Sequence, residues 1–272
     1  MPRFEKYHRA TTFWESSLSL IELIYISIVR AFRTATGGSF LGFAGLLMQP
    51  LILFGVFYLM FEVFGRSPVI RGDFLLFMMT GIFLYRAHIQ AVTTLKGASH
   101  AISGMMFYAK TSALLSILAS AINQLYIVVL SIIAIMGTSY LIRGELEVYN
   151  PSGMLLPLFL AWASGLAVGL MFMAFSPLAP KFIPMLYQIY RRAQMITSGK
   201  MFVASTIPAS ILPFFTWNPL FHAIDQARGQ AFINYLPKKT SIEYPLYFTL
   251  SALALGFVVE FALRARQNYG ME

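Results

Sequence analysis

The chain contains no cysteine. Disulfide staples and thiolate metal centres are therefore excluded. Charge is scarce as well: 11% of the 272 residues are Asp, Glu, Lys or Arg, where soluble domains carry roughly 25%. Only 11 residues are acidic, and no two of them form a pattern suited to paired carboxylate chemistry. His8, His88, His100 and His222 are too scattered for an HExxH helix or a close ligand pair. No Ser–His–Asp order rises above chance. The nearest approach to a phosphate-cradling loop is Ser198-Gly199-Lys200-Met201. It lacks the glycine five residues before Gly199 and the hydroxyl residue after the lysine, so a P-loop is excluded. If the chain moves anything uphill, a partner must supply the nucleotide chemistry. The N-terminal stretch has no apolar core followed by a small-residue cleavage site, so no removed signal peptide is expected.

What is present is apolar length. The chain is 58% hydrophobic, with a mean hydropathy of +0.68. Residues 40–64 carry no charge before Glu62. About 20 apolar residues at 1.5 Å each cross a hydrocarbon layer of about 30 Å, and a soluble helix rarely stays apolar on every face for that distance. The same rhythm predicts six spans, at about 40–64, 74–95, 111–138, 153–176, 183–206 and 245–263. With these spans and joints in place, no room remains for a soluble catalytic domain. Residues 17–33 mix apolar positions with Glu22, Arg30 and Arg33 and read as an amphipathic helix lying in the interface. The fold expected is all-α and membrane-embedded.

Six spans put both termini on one side. Lys and Arg number 12 on that side and 7 on the other, which orients the termini toward the cytoplasm. The net charge of +9 suits anionic headgroups or an anionic cargo. Between the fifth and sixth expected spans, residues 207–243 are broken by Pro208, Pro213 and Pro219. Irregular backbone cannot face lipid, because unpaired amides there cost several kcal/mol, so this stretch must be buried in protein or line water, as short re-entrant helices do. Asn218 followed by Pro219 is a helix start. From it, His222, Asp225 and Arg228 fall on roughly one face, and a local Asp225–Arg228 pair is expected. Arg86 and His88 lie inside a span, where charge normally faces a bundle interior or a watery path.

Two stretches carry a family resemblance. The first runs from Arg30 and Arg33 through Leu41-Gly42 and Gln49-Pro50 to Phe61–Gly65. The second is Asn218-Pro219-Leu220-Phe221-His222, then Asp225 and Arg228. Together they resemble the permease subunits of type-2 ABC exporters, especially those for capsular polysaccharide and O-antigen. Phe43-Ala44-Gly45 stand where that family carries a Trp, and Gln49 where it carries a Glu.

The resemblance implies a half-channel that pairs with a second copy of itself and docks two ATPase subunits. It moves a lipid-linked, anionic polysaccharide across the bacterial inner membrane. ATP and Mg would sit on the partner, and this chain would bind no cofactor and no nucleic acid. Periplasmic and outer-membrane export proteins are further expected partners. Residues 1–38 would form the cytoplasmic N-terminus, 39–264 the six-span domain and 265–272 the tail. The joint 96–110 would be the coupling element, with Met105, Met106, Phe107 and Tyr108 plugging a groove on the ATPase.

Residues 207–243 would be the outer gate, with Asn218, Pro219, His222, Asp225 and Arg228 as its structural lock. Sugar rings stack on aromatic planes, so Tyr58, Tyr85, Phe214, Phe215, Trp217 and Tyr235, with Arg86 and His88, are the candidate substrate path. Two alternatives remain: a type-2 exporter of a drug or lipid, and a membrane-embedded glycosyl or acyl transferase. The transferase needs intramembrane carboxylates or histidines, and Glu22, Glu62 and Glu260 each sit near a span end or in the amphipathic helix.

Overall fold

The computed structural model describes residues 73–105, 110–144 and 147–269, with scattered positions between 25 and 70. The described positions of the expected first span, such as Leu41, Ala44, Met48, Ile52, Val56 and Leu59, are helical. Tyr58, Met106, Phe107 and Tyr108 lie outside the described residues. The described secondary structure is helical throughout: α1 Phe74–Met105, α2 Lys110–Arg143, α3 Leu155–Phe175, α4 Phe182–Thr197, α5 Pro213–Thr216, α6 Pro219–Ala231 and α7 Glu243–Tyr269. Single 3-10 turns at Ser152–Met154 and Ala204–Thr206 join them.

Four segments are long and apolar enough to cross a membrane: Phe74–Gly97, Ala121–Leu141, Ser152–Phe175 and Glu243–Leu263. They match the second, third, fourth and sixth spans expected from the sequence. Of the first of these segments 78% is buried inside the protein, against 17% of the last. Helix α1 is therefore the central post and α7 an outer one. Asp73 starts α1, its carboxylate accepting the Leu75 N–H at 2.9 Å. The helix then runs to Met105, through the first half of the expected coupling joint.

Small residues let α3 reach that post. A Cβ on Gly165 would lie 2.4 Å from the His88 carbonyl oxygen, and one on Gly169 would lie 3.0 Å from the Val92 Cα. Ala161, Gly165 and Gly169 recur every fourth residue, so one stripe of α3 packs directly on the α1 backbone. In lipid such close van der Waals contact, and not water exclusion, holds helices together. Around the stripe, Leu76, Phe77, Phe83, Ala87, Ala91, Trp162, Leu170 and Met173 build the main core. Gly256 brings α7 onto Leu170 on the far side of α3.

The expected fifth span is shorter than the sequence suggests. Helix α4 ends at Thr197 after 16 residues, about 24 Å at 1.5 Å per residue. Gly199 follows with φ +72°, a left-handed conformation that ends helices and favours glycine. The chain then runs irregularly through 200–212 before α5 and α6. Hydropathy continued past the turn because the residues after it, Met201 to Ile207, are still mostly apolar.

Candidate functional site

The proline-broken segment folds around α6. Asn218 caps that helix: its Oδ1 accepts the Leu220 N–H at 3.0 Å, and Pro219 occupies the first turn. Unlike most short helices it is buried nearly all round, on Leu220, Phe221, His222, Ala223, Ile224, Asp225, Ala227 and Arg228. The 147–152 joint clasps its far end, Asn150 N–H donating to the Gln230 carbonyl at 2.8 Å and Tyr149 N–H to Ala231 at 3.1 Å.

Arg228 and Asp225 hold the irregular backbone in place. The Arg228 guanidinium, 1% exposed, donates to the carbonyls of Gly199 at 2.8 Å, Lys200 at 2.8 Å and Phe202. It also lies 4.1 Å from the centre of the Phe77 ring. These carbonyls belong to the turn that leaves α4, where no helix or strand could satisfy them, and the planar fork of Arg reaches all three at once. Burial pulls the Arg228 pKa down to about 10, opposed by Asp225 and Tyr235, so it stays charged at neutral pH.

Asp225 accepts the Ala204 N–H at 3.2 Å and the Tyr235 hydroxyl at 2.6 Å on one oxygen, and the Thr240 hydroxyl at 2.8 Å on the other. Burial first, then Asp225, raises the Tyr235 hydroxyl above its usual range. The Asp225–Arg228 pair expected from their spacing is not the arrangement found. Each residue bonds a different piece of the connecting chain, because the i, i+3 geometry points both inward into crowded backbone and not along the helix surface.

His222 closes the same assembly on its other side. Its Nε2–H donates to the Thr216 carbonyl at 2.8 Å, and its Nδ1 lies 3.1 Å from the Ser241 nitrogen and 3.2 Å from the Ser241 carbonyl. Burial lowers the His222 pKa, opposed by the Thr216 and Ser241 carbonyls and by Asp225, which favour the charged ring. The ring stacks on Tyr244 with centroids 4.6 Å apart.

A second network ties this segment to the central post. Asn218 Nδ2 donates to Gln194 Oε1 at 2.8 Å and to Thr197 Oγ1 at 3.0 Å. Gln194 Nε2 donates to the Tyr190 hydroxyl at 2.9 Å, which in turn meets His88 Nε2 at 2.6 Å. His88 Nδ1 lies 3.0 Å from the Ala161 carbonyl and 3.0 Å from the Ser164 hydroxyl. Since the carbonyl can only accept, Nδ1 carries the proton and Nε2 accepts from Tyr190. The chain of bonds runs from α3 through α1 and α4 to the cap of α6.

The described residues singled out in the sequence fall as follows. Asn218, Pro219, His222, Asp225, Arg228 and Tyr235 come together. His88, a candidate for the substrate path, is fully buried in the relay to α6. Arg86 and Tyr85 are half-buried on α1. Phe214 and Trp217 are exposed, and Phe215 packs edge-on against Phe202 with centroids 5.3 Å apart. Tyr190, Gln194 and Lys200 escaped the sequence reading. The spacing of Ile183, Tyr187, Tyr190 and Gln194 on one helical face is the signal that could have exposed the first two.

Chemically the assembly is a lock. Asp225 is committed to three donors, His222 to Thr216 and Ser241, and His88 to Ala161, Ser164 and Tyr190, and no group of three or more metal-ligating side chains occurs among the described residues.

No family model matches the chain. Among known proteins it is similar to the polysialic acid transport protein KpsM of Escherichia coli, 26% identical over 240 residues, covering 85% of this chain and 89% of that protein. A second KpsM sequence from the same species is 26% identical over 239 residues, with the same coverage.

Proposed function

We propose that the chain is the permease subunit of an ABC-type polysaccharide exporter in the bacterial inner membrane. The observation that carries this reading is the likeness to two polysaccharide transport proteins along nearly their whole length. The apolar helices agree with it, and so does a proline-broken segment whose backbone is satisfied from within.

The cargo we infer is a lipid-linked, anionic, capsule-type polymer, threaded through the membrane and not enclosed in a closed pocket. The permease would act as a homodimer of six-span subunits with both termini in the cytoplasm, each copy docking one ATPase subunit that binds ATP and Mg. Periplasmic and outer-membrane export proteins would take over the polymer. The joint 96–110 would be the coupling element, with Met105, Met106, Phe107 and Tyr108 in the ATPase groove. Residues 207–243 would form the outer gate. Phe214 and Trp217 are exposed within it and are suited to stacking sugar rings. Tyr58, Tyr85, Phe215, Tyr235 and Arg86 complete the proposed path, while His88, fully buried in the relay to α6, supports it from behind.

Affinity purification of the tagged protein in mild detergent tests the reading. An ATPase recovered in equal proportion to the permease supports it. Its absence from an intact, monodisperse sample would return the transferase and stand-alone transporter readings.

A further inference from the structure

Lys200 is 8% exposed, yet its ammonium has no ion pair and no hydrogen-bond acceptor among the described residues. Its one partner is the face of Tyr85, with Nζ 4.0 Å from the ring centre. Its stem is covered while the ammonium itself keeps contact with solvent, so an anion can reach it.

The backbone beneath it is held from three sides. The Lys200 carbonyl accepts from Arg228 Nη2 at 2.8 Å. It also lies 2.2 Å from where a Cβ on Gly81 would stand, so only glycine lets α1 come this close. Gly199 turns the chain into the site with φ +72°. The lysine is therefore aimed before any ligand arrives, which spares the ordering cost of binding. The Tyr85 hydroxyl has no hydrogen-bond partner among the described residues. The two groups offer a cation and an O–H donor, with no carboxylate between them.

We infer that Lys200 and Tyr85 form an oxyanion-binding site on the translocation path, built for the acidic groups of the exported glycolipid. Both sources of such a group share this chemistry: the carboxylates of the sugar chain and the phosphate of the lipid terminus. The inference rests on the exporter reading and adds to it the place where the cargo's negative charge is held. The aromatic face beneath the lysine suits a sugar ring that carries its charge at the edge.

Full-length protein in phosphatidylcholine nanodiscs is titrated with a short sialic acid oligomer and, separately, with a neutral maltooligosaccharide. Lys200→Gln is expected to weaken acidic-oligomer binding by about tenfold, the loss of one charge-assisted contact, and to leave neutral binding unchanged. Lys200→Arg is expected to stay within about threefold of wild type. Phosphatidic acid in the nanodisc that competes with the acidic oligomer assigns the site to the lipid phosphate; its failure to compete assigns the site to sugar carboxylates.

Because the chain has no cysteine, Lys200→Cys introduces a unique thiol. Its reaction with aminoethyl methanethiosulfonate should restore binding, and its reaction with the anionic sulfonatoethyl reagent should not. Unchanged acidic binding in Lys200→Gln, or a thiol that neither reagent reaches, overturns the site while leaving the exporter reading intact. A wild-type protein that binds neither glycan overturns the exporter reading itself.

Discussion

Replacing Arg228 by Met keeps the apolar stem and removes the fork. Three carbonyls, those of Gly199 and Lys200 buried and that of Phe202 part-buried, then lose their donor. A buried group left unsatisfied costs about 1–3 kcal/mol. Solvent can relieve some of that loss, so a total of about 3–5 kcal/mol is expected, similar to breaking a buried charge network from one side. In a chain of this size 1 kcal/mol moves the midpoint by about 2–4 °C, so thermal unfolding in detergent should shift down by about 10 °C. Arg228→Lys should fall between the two, since an ammonium cannot reach three carbonyls in one plane. The readout is intrinsic fluorescence during a slow temperature ramp. A midpoint for Arg228→Met within 2 °C of wild type would refute the lock.

Other substitutions probe other joints. Gly165→Leu should drive a side chain into the His88 carbonyl, 2.4 Å from where its Cβ would stand, and abolish monodisperse protein on gel filtration. Tyr190→Phe removes the hydroxyl between Gln194 and His88 and should cost about 1–3 kcal/mol, read as a lower unfolding midpoint. His222 is neutral in the folded protein with its pKa lowered by burial, so the unfolded chain takes up a proton first. Its contribution to stability is complete above about pH 6.5 and is lost as pH falls below that value. Midpoints measured at pH 5 and pH 7.5 should differ more for wild type than for His222→Gln. Replacing Phe107 and Tyr108 together by Ala should uncouple or lose the ATPase partner; retained assembly with full ATP-driven export would count against the coupling role.

The apolar helices were legible because about 20 residues without charge need no partner to be recognised. The runs at 74–95, 111–138, 153–176 and 245–263 all stand as helices. The cap at Asn218-Pro219 was legible too, since a helix start is set by adjacent residues. The end of α4 was not, because the carbonyls of 199–202 are satisfied by a guanidinium nearly 30 positions later. The same distance hid the sense of Arg228: its spacing from Asp225 suggested a local pair, and tertiary backbone outcompeted it. His88 was legible as a polar residue inside a span, while its use depended on Tyr190, 102 residues away. The Ala161, Gly165, Gly169 stripe was present in the sequence and sets the closest helix contact, but a search for charge and aromatics passes over it.

The central claim is that this chain carries a polysaccharide outward. Deleting its gene in the native host and locating the polymer by cell fractionation and surface labelling tests that most directly. The account predicts polymer accumulating inside the cell, with surface display restored by the wild-type gene and not by Arg228→Met. Normal surface polymer in the deletion strain would contradict it.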